Sequence, residues 1–234
     1  MKFVLLSTKG IHHTYFIHRV LEAGFEIDSV FYETGILKPP FDVTSRFDNS
    51  QRIYEERVFG EYSLEDPSSL TYFQFKSLNS DAAVQAIKER KADIGIVFGC
   101  GKLDTSVIQC FPLLLNIHKG FAERYRGLDT DLWPIFHAEY RNIGVTLHKV
   151  APSLDTGDLV EALPVFLGRG MKIEELRVAW VKLATEMSIR SLEKFEKGTL
   201  ETTKQKSIGR YYTFMPSDLR NLAADRFDRF CSRL

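Results

Sequence analysis

The sequence predicts an α/β protein: a Rossmann-like, mostly parallel twisted sheet flanked by helices, with a short C-terminal extension. Three observations support this fold class. Short apolar runs alternate with helical patterns of ten or more residues, which is typical of right-handed β-α-β units in a parallel sheet. Several of these runs end in small or polar residues that mark turns. A long amphipathic helix then completes a predicted core domain of residues 1–198, and residues 199–234 form the extension.

The elements follow from this pattern in chain order. Residues 3–6 are an apolar run that ends in a polar turn at residues 7–10, and residues 12–23 have helical spacing closed by Gly24. Further strands are predicted at residues 27–32, 70–75, 93–98, 112–117, 143–149 and 159–166. Further helices are predicted at residues 50–58, 80–90 and 172–197 and within 216–234, with a loop at 33–48 and a short connector at 107–108.

The composition argues against several classes of protein. The chain of 234 residues carries 31 Lys and Arg against 31 Asp and Glu, so bulk charge predicts no nucleic-acid partner and no anionic-membrane partner. The cysteines are Cys100, Cys110 and Cys231, an odd number without metal-ligand spacing, which indicates a reducing, cytoplasmic location. The apolar run at residues 3–6 is too short for a secretory signal, and no run approaches the roughly 18 apolar residues of a membrane span.

Polar side chains that could carry chemistry lie at the predicted strand ends, where ligands of open α/β sheets bind. Asn116 and His118 are two residues apart on one strand, so both point to the same face of the sheet. His148 ends a later strand, and Asp155 lies in an acidic turn between two strands. Taken singly, each has an ordinary structural interpretation: a satisfied strand end, a structural histidine, and a turn that Asp and Gly favour.

The combination of motifs resembles a known family. Asn116-Ile117-His118, residues 125–127 (Tyr-Arg-Gly), residues 144–148 (Gly-Val-Thr-Leu-His) and residues 154–157 (Leu-Asp-Thr-Gly) match, in order and spacing, the formyltransferase domain that uses 10-formyltetrahydrofolate. The resemblance covers about residues 92–166 and implies a catalytic triad of Asn116, His118 and Asp155. In such a triad an amide and an imidazole stabilise the formyl oxyanion, and the carboxylate favours the imidazolium. The resemblance implies 10-formyltetrahydrofolate as the formyl donor and requires no metal.

The same resemblance implies a folate pocket built largely from main chain. It places the pocket at the end of the strand at residues 93–98 and at the turn that contains Asp155. The implied residues are Phe98, Gly99, Cys100, Gly101, Lys102, Leu103, Leu154 and Thr156. A glycine-rich turn between a strand and a helix would have the same sequence, so this alternative stays open.

Differences between this sequence and two branches of the family restrict the class of substrate. Residues 7–13 contain one glycine, unlike the phosphate loop of glycinamide ribonucleotide formyltransferases. Residues 119–123 (Lys-Gly-Phe-Ala-Glu) replace the Pro-Ser-Leu-Leu-Pro loop of methionyl-tRNA formyltransferases, and residues 199–234 are too few for their second domain. The remaining branch formylates a dTDP- or GDP-linked 4-amino-4,6-dideoxy sugar for surface polysaccharide such as O-antigen. The substrate-binding residues implied for it are Lys9, Gly10, Arg126, Gly127, Tyr211 and Tyr212.

Several alternatives stay open at this point. Tyr211 and Tyr212 could stack on a base or pack the extension onto the core. The apolar stripe of the helix at residues 172–197 could belong to the core or to a homodimer surface. Adjacent histidines at His12 and His13, with His18, do not have metal-ligand spacing. The chemistry could also be formylation of another amine, as in methionyl-tRNA or amino acids, hydrolysis of 10-formyltetrahydrofolate, or folate or nucleotide binding without catalysis.

Overall fold

A computed structural model of the chain describes residues 1–35, 37–62 and 67–234. The strands are β1 (Phe3–Ser7), β2 (Ile27–Glu33), β3 (Thr71–Phe75), β4 (Ile94–Phe98), β5 (Leu114–His118), β6 (Tyr125–Gly127), β7 (Gly144–Lys149), β8 (Leu159–Pro164) and β9 (Arg210–Tyr212). The helices are α1 (Ile11–Glu22), α2 (Asp48–Phe59), α3 (Asp81–Arg90), α4 (Thr105–Ile108), α5 (Trp133–Phe136), α6 (Ile173–Glu196) and α7 (Ser217–Cys231). The predicted α/β fold is confirmed.

The central sheet has seven strands in the order β3-β2-β1-β4-β5-β7-β8. β1 to β5 pair in parallel, whereas β7 pairs antiparallel with β5, and β8 antiparallel with β7. The strand order reverses at β1, whose two neighbours are β2 and β4. In such open sheets the crevice beyond the carboxyl ends, beside the reversal, is where ligands bind.

Apolar side chains alternate between the two faces of the sheet and form two cores. On one face, Phe3, Ile96 and Leu115 pack with α1, α6 and α7. On the other face, Val4 and Leu114 pack with α3 and α4. The parallel strands other than the edge strand β3 are largely buried on both faces because helices cover both sides, which explains their apolar sequences. At the carboxyl end of β5 the second face carries polar side chains in place of apolar ones.

The long helix α6 contributes to the core. Leu176, Trp180, Val181 and Met187 on this helix are buried within the single chain, which confirms the core interpretation of its apolar stripe. The homodimer stays a prediction. Among the described residues, no helix combines the length and the apolar character needed to cross a bilayer.

The structure adds short elements that the sequence pattern missed. β6 and β9 form a separate two-stranded parallel sheet, and α4 occupies the predicted connector at residues 107–108. Three-residue strands and single-turn helices are too short to establish a hydrophobic period, so pattern analysis cannot detect them. At the ends of the loop predicted at residues 33–48, Glu33 belongs to β2 and Asp48 to α2. The loop includes Ile36, which lies outside the described residues.

A buried ionic group joins the helices on the first face of the sheet. Glu55 of α2 lies 3.6 Å from His12 Nδ1 of α1 and 3.3 Å from Arg177 Nη1 of α6, and Gln51 donates a hydrogen bond to it. Burial, together with the nearby cations Arg177 and Lys119, lowers the pKa of His12 from 6.5 to about 3. His12 is therefore neutral in the folded protein over the whole neutral and mildly acidic range.

The buried His12 predicts that the folded protein loses stability in acid. Between pH 6.5 and about 3, unfolded His12 binds a proton that the folded protein rejects, so stability falls as pH falls through that window. At pH 5 the loss from this residue is about 2 kcal/mol. We expect His12→Gln to remove that share of the pH dependence between pH 7 and pH 5, measured by urea unfolding. His18→Gln, on the same helix, should keep the steeper wild-type dependence; equal slopes in both variants would contradict the assignment.

Candidate active site

Four polar side chains gather on one face at the carboxyl end of β5. Asn116 and His118 project to this face because they alternate with buried Ile117. In the antiparallel register between β5 and β7, Asn116 lies opposite His148, and His118 lies opposite Thr146. Directly opposite residues on one face have neighbouring side chains. The cross-strand pair is in contact: Asn116 Nδ2 and His148 Nε2 are 3.2 Å apart.

Backbone carbonyls fix the tautomer of both imidazoles. His118 Nε2 lies 2.7 Å from the carbonyl oxygen of Tyr125, and His148 Nδ1 lies 2.7 Å from that of Lys149. Because a carbonyl oxygen only accepts, Nε2 of His118 and Nδ1 of His148 carry protons. In its neutral form, His148 therefore accepts from the Asn116 amide, and His118 presents an unprotonated Nδ1 to the site.

The Asp155 carboxylate lies between the two imidazoles. Its Oδ1 is 3.4 Å from His118 Nδ1 and 3.5 Å from His148 Nε2, and its Oδ2 accepts a 2.8 Å hydrogen bond from the Gly127 amide. Asp155 has φ +55°, in the left-handed region that Asp tolerates better than most residues. When both rings are neutral, His118 Nδ1, His148 Nε2 and Asp155 Oδ1 converge, and none of these three atoms carries a proton. The arrangement is therefore suited to take up one proton.

The balance of charges decides which group is ready to accept that proton. Burial lowers the pKa of His118 below 6.5, and the Asp155 carboxylate only partly opposes this. Burial would raise the pKa of Asp155, but the charge on His118 and the contacts with His148 and the Gly127 amide hold it well below 3.8. At neutral pH the pair is a neutral imidazole beside a carboxylate. The expected preference for imidazolium is present as a Coulomb attraction, but burial outweighs it.

The predicted folate loop follows β4 at the same edge of the sheet. Gly99 has φ +86°, and a Cβ there would meet His13 Nε2 at 2.9 Å, so this position requires glycine. The Phe98 ring packs in the core against His13 and Trp180, so Phe98 can offer a ligand only its main chain. Leu103 is buried in the core on the second face of the sheet.

The other residues of the predicted folate pocket have contacts of their own. The Gly101 amide donates a 2.7 Å bond to Glu33, and the carbonyl of Lys102 accepts from Asn79. Burial and the neighbouring Glu33 carboxylate raise the pKa of the Cys100 thiol, so this cysteine stays protonated. Thr156, in the Asp155 turn, donates to the Ser153 carbonyl, and the carbonyl of Leu154 is held by Arg126.

The predicted substrate residues fall into two groups. Arg126 and Gly127 bond to the Asp155 turn, and Tyr211 lies against Gly127. Lys9 and Gly10 lie at the end of β1, two strands from β5 and thus about 10 Å across the sheet. Arg126 Nε donates to the Gly209 carbonyl and its Nη1 to the Leu154 carbonyl, at 2.6 and 3.0 Å. These internal bonds occupy part of the guanidinium, so substrate binding by Arg126 stays a prediction and would involve the remaining edge of the guanidinium.

The two tyrosines of β9 have different environments. Tyr212 stacks on Tyr125 with ring centroids 5.1 Å apart and contacts Trp133 at 5.0 Å, so it packs the extension onto the core. Tyr211 is 52% exposed and covers Gly127, where a Cβ would meet the Tyr211 ring at 2.9 Å. The packing alternative therefore describes Tyr212, and Tyr211 remains the candidate for stacking.

The sequence left two contributors without a role in the site. The sequence favours a structural role for His148; in the structure this residue lies on β7, the antiparallel neighbour of β5, and bonds to the Asn116 amide. The Tyr125 carbonyl, which orients His118, has no side-chain signature. Among the residues that the structure describes, no cluster of His, Cys, Asp and Glu could hold a metal ion.

The fold and this cluster together define a class of protein: a Rossmann-like domain with an amide, an imidazole and a carboxylate converging at the carboxyl edge of its sheet. The family model for formyl transferase matches residues 41–183. The chain belongs to the formyl transferase family. The match includes all three residues of the predicted triad.

Curated relatives include methionyl-tRNA formyltransferases. That of Thermotoga sp. (strain RQ2) is 28% identical over 136 residues, which cover 57% of this chain and 43% of the relative. That of Alkaliphilus metalliredigens is 28% identical over 148 residues, covering 62% and 47%. The chain therefore matches less than half the length of these curated relatives.

Solved structures of similar fold extend over more of the chain. A 4-N formyltransferase from Francisella tularensis has a TM-score of 0.62 at 15% identity, covering 91% of this chain and 76% of its own. An N-formyltransferase from Helicobacter canadensis, solved with folinic acid and dTDP-3-aminofucose, has a TM-score of 0.57 at 16% identity, covering 91% and 71%. HypX from Aquifex aeolicus with tetrahydrofolic acid has 0.62 at 20%, covering 99% and 34%. At these identities the likeness establishes the fold.

Proposed function

We propose that this protein transfers the formyl group of 10-formyltetrahydrofolate to the amine of a dTDP- or GDP-linked 4-amino-4,6-dideoxy sugar. The observation that carries the proposal is the convergence of Asn116, His118 and Asp155 within a chain of the formyl transferase family. The product would serve surface polysaccharides such as O-antigen, and we place the enzyme in the cytoplasm. The proposed catalytic unit is residues 1–198, with residues 199–234 as an extension.

The reaction follows from the protons at the site. The amine nitrogen attacks the formyl carbon, a carbon–nitrogen bond forms, and an electron pair moves onto the formyl oxygen. Asn116 Nδ2 has a second hydrogen besides the one that faces His148, and it donates this hydrogen to the oxyanion. One such donor is worth about 3–4 kcal/mol of barrier lowering.

His118 manages the transferred proton. Its Nδ1 is unprotonated because Nε2 donates to the Tyr125 carbonyl, so Nδ1 accepts the proton lost by the attacking amine. Asp155, 3.4 Å away, stabilises the imidazolium that forms. The bond from the formyl carbon to folate N10 then breaks, its electron pair stays on N10, and the proton held by His118 passes to that nitrogen. No metal and no covalent enzyme intermediate enter this sequence.

Three observations favour the nucleotide-sugar branch. Residues 119–123 lack the loop typical of methionyl-tRNA formyltransferases, the net charge is zero, and the fold likeness to the 4-N formyltransferase of Francisella tularensis extends over most of both chains. The Helicobacter structure contains a nucleotide sugar together with a folate. Phosphate contacts dominate nucleic-acid affinity, so a tRNA enzyme would be expected to show a basic surface.

The test is an acceptor screen with purified protein and 10-formyltetrahydrofolate. Mass spectrometry should show the gain of one formyl group on a dTDP- or GDP-linked 4-amino-4,6-dideoxyhexose. Formylated methionyl-tRNA, the second candidate that the curated relatives suggest, or a formylated amino acid would redirect the proposal to another amine. Release of formate without any acceptor would identify a hydrolase instead. If no formylated product forms with any dTDP- or GDP-linked amino sugar, the proposal for this branch is wrong.

Tyr211 offers a prediction about nucleotide binding. Because its half-exposed ring lies over Gly127 beside the Asp155 turn, it can stack on the base of the nucleotide sugar. We expect Tyr211→Ala to raise KM for the nucleotide sugar about tenfold with kcat changed less than threefold, since a base-stacking contact is worth about 1–3 kcal/mol. Tyr211→Phe is the matched control and should keep the wild-type KM. An unchanged KM in Tyr211→Ala would show that this ring does not contact the substrate.

A further inference from the structure

The turn that carries Asp155 has little regular structure to hold it. It joins β7 to β8 across residues 150–158, and Asp155 itself has the left-handed φ of +55°. A catalytic carboxylate needs a fixed position, because a displacement of about 1 Å can cost about a hundredfold in rate. The question is which groups fix the main chain of this turn.

Two side chains from outside the turn bind its carbonyls. Arg126 Nη1 donates to the Leu154 carbonyl at 3.0 Å. The Gln205 amide, through Nε2, donates to the carbonyls of Asp155 at 2.8 Å and of Gly157 at 2.9 Å. Gln205 belongs to the extension, beyond residues 41–183 that match the family model. One amide thus holds two carbonyls that flank Thr156, directly at the catalytic aspartate.

The extension does not depend on Gln205 for its own attachment. Thr203 exchanges two main-chain hydrogen bonds with Leu159, at 2.7 and 2.8 Å. On the other side of Gln205, the Arg210 amide donates to the Arg124 carbonyl at 3.0 Å, and β9 pairs with β6. The segment is therefore anchored before and after Gln205. The Gln205 side chain therefore holds the Asp155 turn, and the extension is held by other contacts.

We propose that Gln205 is a positioning residue, whose side-chain amide holds the Asp155 turn so that the carboxylate stays against His118. The inference rests on the proposed function for its kinetic consequence, and on geometry alone for its structural one. The amide orientation is dictated by its partners: two carbonyl oxygens accept, so the nitrogen must face them. The extension would then complete the active site as well as cover the core.

The experiment compares four variants of the full chain. Gln205→Ala removes the amide; Gln205→Glu keeps its shape but replaces the donor by an oxygen that repels both carbonyls; Gln205→Lys keeps a donor; Lys204→Ala alters the exposed neighbour. We expect kcat to fall about tenfold or more in Gln205→Ala and Gln205→Glu, with KM values changed less than threefold. Gln205→Lys should recover part of the loss, and Lys204→Ala should equal the wild type.

A second readout needs no substrate. Three titratable groups lie near His118: Asp155 in the turn, His148 on β7, and Lys119, the next residue in the chain. Of these three, only Asp155 raises the pKa of His118. If the turn loosens, that attraction weakens, so NMR titration should give a lower His118 pKa in Gln205→Ala than in the wild type. A lowered unfolding midpoint with wild-type kcat and an unmoved His118 titration would overturn the proposal. Failure of the proposed function would instead appear as a wild type inactive on every acceptor, and the titration would still decide the role of Gln205.

Discussion

His118→Asn is expected to lower kcat by about 10²–10⁴, the usual contribution of a positioned acid–base group. The asparagine amide can still donate to a formyl oxyanion, but it cannot accept the proton of the attacking amine. Burial lowers the pKa of His118 below 6.5, so the wild-type rate should fall as pH drops through that lower pKa and the residue becomes protonated. The variant should lose this acidic limb. Steady-state rates between pH 5 and pH 8, followed by mass spectrometry, measure both effects.

The control for this variant is His18→Asn, a histidine of α1 outside the cluster, which should keep both the rate and the acidic limb. The fold should survive in His118→Asn, although the Tyr125 carbonyl loses its donor at a cost of about 1–3 kcal/mol. Circular dichroism separates this from unfolding. A folded His118→Asn protein with full activity would remove His118 from the mechanism.

Asp155→Asn is expected to reduce kcat by a similar factor. Its amide oxygen can keep the bond from the Gly127 amide, while its nitrogen replaces the oxygen that lies between the imidazoles. That nitrogen would donate to His118 Nδ1 and so oppose proton uptake there. The same substitution in the serine-protease triad, where it imposes the wrong tautomer, costs about 10⁴. Asparagine also tolerates a φ of +55°, so the turn should keep its shape.

The matched control is Asp158→Asn in the same turn. Asp158 pairs with Lys149 at the surface, 3.5 Å away, and it should be replaceable with little change in rate. Stability gives a second check with its own sign. Because the contacts of Asp155 hold its pKa below 3.8, the stability they contribute is present above that value and is lost as pH falls below it. Equal rates for Asp155→Asn and Asp158→Asn would contradict the role of Asp155.

The fold was predictable where periodicity was long enough to read. The first four strands of the parallel sheet, together with α1, α3 and α6, lie within a few residues of their predicted bounds. Burial on both faces dictates the residue types of β1, β2 and β4, and burial of one stripe dictates those of the helices. β6 and β9 were not predictable. Each has three residues, and their pairing depends on contacts between segments about 80 positions apart in the sequence.

The sequence was enough to predict which side chains form the candidate site, but not how they contact one another. The motifs at Asn116, His118 and Asp155 predicted the reacting groups, and the structure brings these three side chains together. They did not show that His148 holds the Asn116 amide, which depends on the β5–β7 register, or that burial outweighs the Asp155 charge at His118. Register and desolvation are properties of the packed molecule, so no local window contains them.

The sequence by itself determined the class of fold and the family, and it predicted the three side chains proposed to perform formyl transfer, because residue type and spacing specify burial and chemistry. Only the tertiary structure decided which nitrogen of each histidine is available, and how residues 199–234 reach the Asp155 turn. Those outcomes depend on hydrogen bonds from distant carbonyls, at Tyr125 and Lys149 for the imidazoles and through Gln205 for the turn. Main-chain carbonyls are the same in every residue, so the sequence does not reveal which of them a side chain will meet.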